Sequence, residues 1–205
     1  MEQAVASVLA EYERRSAAEW QTISSLPSSE VDKRIDEFLL AVGPDTGQLM
    51  HWLVTGAKAK TLVEIGSSYG YSTIWLADAA RATGGKLHSL ELSETKVKHA
   101  RTQLERAGLA AYVEFHLGSA LDTLAMLPGP FDFVLLDLWK DLYVPCLELA
   151  HPKLAPNACV VANNMIFPPS PTEQAAYKKA VRAKPDMESL LLPIGSGLEI
   201  SKKRG

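Results

Sequence analysis

Short apolar runs alternate with amphipathic segments along most of the chain. The runs are rich in β-branched and aliphatic residues, which predicts strands at 61–65, 86–91, 112–116, 131–137, 158–162, 188–194 and 198–202. The intervening segments have helical spacing, which predicts helices at 71–80, 93–107, 119–127, 139–150 and 172–183. This alternation predicts an α/β fold, with a doubly wound, seven-stranded, mostly parallel sheet and helices on both faces. Gly195-Ser196-Gly197 joins the last two strands, so we expect a C-terminal antiparallel hairpin.

The N-terminal residues predict helices that cover this sheet. Residues 1–27 have a loose amphipathic pattern, and Ser29–Asp32 resembles a capping box that opens a second helix reaching to about residue 42. The turn at 43–47 ends that helix, and a third helix is expected at 48–57. Because no linker-like composition intervenes, we predict a single domain over 1–205, with a helical cover at 1–57 and a core at 58–205.

Composition excludes several classes of protein. The chain of 205 residues is 47% hydrophobic and carries a net charge of −3 without a basic stripe, so we expect no nucleic-acid partner. It has neither a recognisable signal peptide nor an apolar run of the roughly 20 residues that cross a bilayer, so no membrane association is expected. Cys146 and Cys159 form no paired motif, which is typical of a reduced, cytoplasmic protein. The histidines show no metal-ligand spacing along the chain.

Polar residues follow the apolar strands at the edge where parallel strands end, which is where open α/β sheets bind ligands. They include Glu64, Glu91, Ser119, Asp137 and the pair Asn163-Asn164. The first strand runs into a Gly- and Ser-rich turn at 66–70 and then a helix, which brings a backbone close to a nucleotide-like ligand.

The acidic residue at the end of the first strand argues against phosphate binding. Glu64 would repel a pyrophosphate but would attract a cationic ligand or hydroxyl groups. Glu91 lies 25 residues after Gly66, where a carboxylate can accept both hydroxyls of a ribose. Tyr69 and Tyr71 occupy positions at which a dinucleotide-binding turn would need its third glycine, so a nicotinamide-dependent dehydrogenase is disfavoured.

The fourth and fifth strand ends offer further chemistry. Asp137, Asn163 and Asn164 supply oxygen ligands suited to Mg²⁺, although the two amides can equally cap a turn. Lys140, three residues after Asp137, can act as a base if its pKa is lowered, or be an ordinary surface lysine. Trp139 can line an aromatic substrate or pack in the core.

With these residues in view, the chain resembles class I S-adenosylmethionine-dependent O-methyltransferases, in particular the catechol and caffeoyl-CoA O-methyltransferase group. The resemblance covers about 28–202 and rests on four stretches, namely Val42-Gly43 with Gly47-Gln48, Val63–Gly66 with Gly70–Thr73, Phe131-Asp132 with Asp137–Tyr143, and Ile194-Gly195 with Gly197–Glu199.

The resemblance implies a Rossmann-like methyltransferase core and a role for each matching residue. The cofactor S-adenosyl-L-methionine would contact Val42, Glu64, Gly66, Ser72, Glu91, Ser119 and Asp137. Asp137, Asn163 and Asn164 would hold a divalent cation such as Mg²⁺, and Lys140 would accept the proton of the substrate hydroxyl. The acceptor, a small and catechol-like aromatic molecule, would contact Phe38, Leu40, Trp139 and Glu199.

One departure from the group's pattern concerns the metal. Asn163 replaces an aspartate, which removes one negative charge, so we predict weaker metal binding than in the group or none. The alternative functions are a metal-independent methyltransferase with a different acceptor and a cofactor-binding protein without transferase activity. The N-terminal helices are expected to pack either on a partner subunit, in a homodimer, or on their own core.

Overall fold

The computed structural model describes the backbone of residues 1–205 and all side chains except those of Ser28 and Asp32. Its centre is a seven-stranded sheet in the order β3-β2-β1-β4-β5-β7-β6. The strands are β1 (Thr61–Ile65), β2 (Lys86–Glu91), β3 (Val113–Leu117), β4 (Phe131–Leu136), β5 (Leu154–Ala162), β6 (Met187–Leu192) and β7 (Leu198–Lys203). β1 to β5 run parallel, and β7 is antiparallel to both β5 and β6. The predicted fold class is confirmed.

Helices cover both faces of the sheet. They are α1 (Gln3–Ser25), α2 (Ser28–Lys33), α3 (Pro44–Ala57), α4 (Tyr71–Thr83), α5 (Glu94–Arg106), α6 (Ala120–Met126), α7 (Tyr143–Ala150) and α8 (Pro171–Arg182). One buried cluster joins the first face to α1, α3, α4 and α5, and a second joins the opposite face to α6, α7 and α8. Within the described chain, none of these helices is long and apolar enough to cross a membrane.

The cover helix α1 packs on its own chain. It buries Val5, Val8, Leu9 and Tyr12 in the cluster that also holds residues of α4. The Tyr12 hydroxyl donates a hydrogen bond of 2.5 Å to the carbonyl of Tyr69 in the glycine-rich turn. The N-terminal cover is therefore fastened to the loop where the candidate site begins.

The second helix is much shorter than predicted. α2 ends at Lys33, a 3₁₀ turn follows at Ile35–Glu37, and the chain then runs extended to the start of α3. Side chains of α1 form hydrogen bonds with backbone groups of this segment. Arg15 donates to the Glu37 carbonyl, and the Glu19 carboxylate accepts from the Leu39 N–H. The expected capping box is not formed at Ser29, because Pro27 occupies the N-cap position, and the Asp32 side chain lies outside the described residues.

Parallel pairing brings the ends of β1, β4 and β5 to one edge. Ile65 pairs with Leu136, and Leu136 pairs with Ala162, so the residues that follow them emerge side by side. The backbone N–H of Asp137 donates to Ile65, and that of Asn163 donates to Leu136. This edge carries the candidate site.

Candidate active site

The glycine-rich turn passes directly beside the end of β4. Gly66 has a φ of +94°, in the left-handed region. A Cβ at this position would overlap the carbonyl oxygen of Asp137. Glycine is therefore needed here both for the backbone conformation and for the close approach of the two strand ends.

Glu64 is a buried organising residue. Its side chain is 0% exposed, and its carboxylate accepts hydrogen bonds from the hydroxyls of Ser72, Thr73 and Ser89 at 2.6–2.7 Å. Ser89 lies opposite Glu64 in the β1–β2 register, and the other two hydroxyls come from the first turn of α4. Burial raises the pKa of Glu64, while the three hydrogen bonds act in the opposite direction. The carboxylate thus fixes Ser72 and the start of α4 against the sheet.

Glu91, at the end of β2, holds two loops together. One carboxylate oxygen accepts from the N–H of Ser68 at 2.8 Å, and the other accepts from the N–H groups of Leu92 and Ser93. Each oxygen of an ionised carboxylate has two lone pairs, so Oε2 keeps acceptor capacity for one further hydroxyl group. Glu91 is therefore placed beside the glycine turn with its carboxylate orientation fixed.

A small cavity lies between the glycine turn, Asp137 and an extended segment at 39–42. It is lined by Leu39, Leu40, Ala41, Val42, Gly66, Ser67, Ser68, Tyr69, Tyr71, Ser72 and Asp137. The predicted cofactor residues Val42, Gly66, Ser72 and Asp137 thus meet around one space. Its volume is about 20 Å³, far below the ~300–1,000 Å³ of small-molecule pockets.

The segment 39–42 is held from both sides. Leu40 has a φ of +47°, an uncommon conformation for a leucine, and the Glu19 carboxylate accepts from the Leu39 N–H at 2.6 Å. Just before it, the carbonyl of Asp36 accepts from the Tyr69 hydroxyl, and the Asp36 carboxylate pairs with Lys96. These hydrogen bonds, together with the burial of Leu39 and Val42 in the core, hold the segment beside the glycine turn.

Asp137 and Lys140, at and just after the end of β4, are titratable groups with shifted pKa values. Burial raises the pKa of Asp137 to about 7, and the charge of Glu64 adds to the rise, while Asn163 and Lys140 oppose it. Burial lowers the pKa of Lys140, and the negative charges of Asp137 and Glu173 oppose that change. Lys140 opens a 3₁₀ turn that leads into α7, and its side chain is half-buried. The lowered pKa makes the neutral, basic form of Lys140 more accessible than that of an ordinary surface lysine.

The three expected metal ligands are adjacent, but they are hydrogen-bonded to one another. The side-chain nitrogen of Asn163 donates to Asp137 Oδ1 at 3.1 Å and to Asn164 Oδ1 at 3.0 Å. Asn164 in turn donates to the Phe167 carbonyl. An NH₂ donor therefore stands between two oxygens that a cation would join, and the set contains one carboxylate. The Asn163 Oδ1 oxygen is buried and has no hydrogen-bond partner among the described residues, but with one carboxylate the set offers little charge to hold a divalent cation.

The predicted substrate residues differ in their surroundings. Leu40 and Trp139 are 45% and 66% exposed and stand open to solvent, whereas Phe38 is buried. Ile166 and Phe167, which follow Asn164, are also exposed and were missed from the sequence. The sequence signal that could have indicated them is the apolar run that follows the polar end of β5 at Asn163-Asn164.

Glu199, predicted as a substrate contact, is buried in the structure. Its side chain is 0% exposed, and it forms a two-bond ion pair with Arg182 at 2.8 and 3.1 Å. The hydroxyl of Ser189 donates to the same carboxylate. The carboxylate is thus enclosed by β6 and α8 and has a structural role.

Ser119 lies at the outer part of the edge. It is the N-cap residue of α6, its hydroxyl accepts from the Asp122 N–H, and it is exposed. It follows β3 rather than β1 or β4 and does not line the small cavity. Its expected contact with the adenine remains a prediction.

Comparison with known proteins decides the family. The family model described as a methyltransferase domain matches residues 63–165, which include the glycine turn, Asp137 and both asparagines. The chain belongs to this methyltransferase family. A catechol O-methyltransferase of Niastella koreensis is 30% identical over 156 residues, covering 74% of this chain and 70% of that protein.

Solved structures of O-methyltransferases are similar to this methyltransferase, in agreement with the family assignment. An O-methyltransferase from Bacillus cereus in complex with SAH is 26% identical, with a TM-score of 0.74, and the match covers 94% of this chain and all of that one. The O-methyltransferase TomG from Streptomyces achromogenes, involved in tomaymycin synthesis and solved with SAM, is 27% identical with a TM-score of 0.75 over 95% and 99% of the two chains. The predicted resemblance to catechol and caffeoyl-CoA O-methyltransferases is confirmed.

Proposed function

We propose that this methyltransferase transfers a methyl group from S-adenosyl-L-methionine to a hydroxyl of a small aromatic molecule. The observation that carries the proposal is the convergence of the glycine turn, Asp137 and Lys140 at one edge of the sheet, next to the exposed ring of Trp139. Relatives named as O-methyltransferases, including catechol O-methyltransferases, support the hydroxyl acceptor.

The residues around the cavity suit a ligand with a cationic amino-acid end and a ribose. Among the described residues the buried Ser67 hydroxyl has no hydrogen-bond partner, so the turn holds a polar group ready for a ligand. Asp137 offers a carboxylate to an ammonium group, and Glu91 offers free acceptor capacity to one hydroxyl. When bound, S-adenosylmethionine supplies a methyl group that its sulfonium centre already activates.

Lys140 is the proposed general base. A phenol has a pKa of about 10, close to that of tyrosine, so its oxygen needs to lose a proton to become a strong nucleophile near neutral pH. A neutral Lys140 Nζ accepts that proton as the oxygen attacks, and the lowered pKa of this lysine makes the neutral form accessible. Trp139 and Leu40 offer apolar surface against which an aromatic ring can be aligned for attack.

We propose that the transfer proceeds without a divalent cation. The amide of Asn163 already links Asp137 to Asn164, and it contributes no charge to attract a metal. Proton removal and alignment then rest on Lys140 and on the apolar surface around the acceptor. This sets the chain apart from the metal-assisted mechanism that the resemblance implied.

A transfer assay tests the function directly. Purified protein is incubated with methyl-labelled S-adenosylmethionine and a panel of catechols, single phenols and non-aromatic alcohols, with EDTA or with Mg²⁺. Labelled product from a phenol or catechol, formed equally in both conditions, is the expected result. Tight binding of S-adenosylhomocysteine with no product from any acceptor would favour the alternative of a binding protein without transferase activity.

A cytoplasmic location belongs to the same proposal. Both Cys146 and Cys159 are free thiols, and burial raises the pKa of each to about 12, which makes them unreactive. Cysteines that remain free thiols are typical of proteins in a reducing compartment. Assembly as a homodimer stays a prediction, as does the lack of nucleic-acid and membrane partners.

A further inference from the structure

Two histidines and a glutamate meet on the outer strands of the sheet, away from the cavity described above. His88 lies on β2, while Glu114 and His116 lie on the edge strand β3. In the parallel register His88 pairs with Glu114, and Leu90 pairs with His116. Because side chains two residues apart on a strand point to the same face, all three side chains share one face of the sheet.

The ligand atoms are close to the spacing of a metal site. His88 Nδ1 lies 3.1 Å from His116 Nε2, and the two Glu114 oxygens lie 3.8 Å from one imidazole nitrogen each. Two ligands about 2.0–2.1 Å from a tetrahedral zinc ion are about 3.3–3.4 Å apart. The nitrogens already meet this distance closely, and a small rotation of the exposed Glu114 side chain brings its oxygens within range.

We propose that His88, Glu114 and His116 bind a Zn²⁺ ion that clamps the edge strand β3 to β2. Two imidazoles and one carboxylate are a ligand set typical of zinc and leave the fourth coordination position to water. The site does not depend on the proposed methyl transfer, since none of its ligands lines the cofactor cavity.

The two histidine side chains are each about one-fifth exposed, so they are held by packing while the site stays open to solvent.

The consequence of binding would be local order at the edge of the sheet. β3 is an edge strand that pairs only with β2, and it leads directly into Gly118 and Ser119. A metal joining the two strands adds a cross-link where edge pairing is weakest. The spacing of 28 residues between His88 and His116 hides this pair in the sequence.

Calorimetric titration of the full-length protein, first stripped with EDTA, with ZnCl₂ tests the site. We expect one Zn²⁺ per chain, a higher Tm with zinc, and a Co²⁺ absorption band of the intensity typical of four-coordinate geometry. His116→Gln and Glu114→Gln should each weaken zinc binding by roughly tenfold or more. Mutating even a residue that only hydrogen-bonds to a metal ligand typically lowers metal affinity about 10–100-fold. His151→Gln is the matched control, since His151 is also half-buried and contacts a carboxylate, Asp186, but has no second imidazole.

Two results would overturn the proposal. One is the absence of zinc binding up to millimolar concentration in the wild-type protein. The other is binding that His116→Gln and Glu114→Gln leave unchanged, and in that case loss of binding in Asp137→Asn would locate the ion in the cleft instead. Circular dichroism of each variant confirms that a loss of binding is not a loss of fold.

Discussion

The side-chain amide of Asn163 donates a hydrogen bond of 3.1 Å to the carboxylate of Asp137, across the ends of β5 and β4. The same nitrogen donates to Asn164, so a single NH₂ group joins the oxygens that a metal would otherwise join. An aspartate at position 163 would instead place two carboxylates side by side and would require a cation between them. We therefore expect residue 163 to govern whether this methyltransferase needs a metal.

Asn163→Asp should create a dependence on Mg²⁺. We expect the variant to lose turnover in EDTA, to regain it with Mg²⁺, and to show calorimetric Mg²⁺ binding, while the wild-type enzyme is indifferent to both. Asn157→Asp, which adds the same charge near the opposite end of β5, is the control and should behave like the wild type. Loss of wild-type turnover in EDTA that Mg²⁺ restores would refute metal-free transfer.

Replacing Lys140 should remove the chemical step and spare cofactor binding. Lys140→Ala is expected to lower kcat by about 10²–10⁴-fold, the usual contribution of a general base, with an unchanged Kd for S-adenosylhomocysteine. Lys140→Arg should not restore activity, because a guanidinium stays protonated. Lys179→Ala, on the exposed side of α8, serves as the control. Wild-type turnover in Lys140→Ala would exclude the lysine as the base.

The same lysine predicts how activity depends on pH. A base must be deprotonated, so kcat should rise with pH through the pKa of Lys140. Because burial lowers that pKa, the rise should be centred below 10.5, the ordinary value for lysine. Rapid-mixing measurements of single turnovers over pH 6–12 locate the midpoint, and a midpoint at or above 10.5 would contradict the assignment.

Asp137 predicts a pH dependence of stability. Its pKa is raised from 3.8 in the unfolded chain to about 7 in the fold, so between these values the folded state holds a proton that the unfolded state has released. This contribution to stability is full below about pH 4, declines as pH rises towards 7, and is constant above. In urea unfolding, the free energy of unfolding of Asp137→Asn relative to that of the wild type should therefore increase by about 2–4 kcal/mol between pH 4 and pH 8. A difference that stays constant over this range would show that the carboxyl titrates normally.

Gly66→Ala should destabilise the fold where Gly56→Ala does not. At Gly66 the methyl group meets the Asp137 carbonyl and the backbone has a positive φ, so we expect a loss of about 2 kcal/mol or more. Gly56 lies inside α3 with open space around it, where alanine favours the helix by up to about 1 kcal/mol. Thermal and urea unfolding of both variants make the comparison. Equal stabilities would mean that the turn can move away from β4.

Glu199→Gln should cost stability but not substrate affinity. The carboxylate is buried against Arg182 and Ser189, and hydrogen bonds to charged groups are worth about 1.5–3 kcal/mol each. Glu188→Gln removes a solvent-exposed pair with Arg204 and should cost at most about 1 kcal/mol. The acceptor KM should be unchanged in both variants. A raised KM in a stably folded Glu199→Gln protein would restore the substrate role that the sequence suggested.

Much of the fold could be predicted because its signals are local. Apolar runs between turn residues placed β1 and β2 at their observed bounds, and the parallel order followed from strands that alternate with helices. The second helix was predicted too long. The apolar residues from Val31 to Val42 have a helical spacing, but α1 binds the backbone of this segment from 22 and 20 residues away, and a local pattern does not contain that contact.

The sequence by itself determined the sheet and the edge proposed for the chemistry, since these follow from periodicity, from glycine and from polar residues at strand ends, and four of its stretches resemble the methyltransferase family. The tertiary structure alone decided how those polar groups are used. It enclosed Glu199, turned the Asn163 amide toward Asp137, and brought His88 beside His116. Each of these outcomes depends on the register of strands that are distant in sequence, and hydrogen bonding between side chains is sensitive to that register over fractions of an ångström.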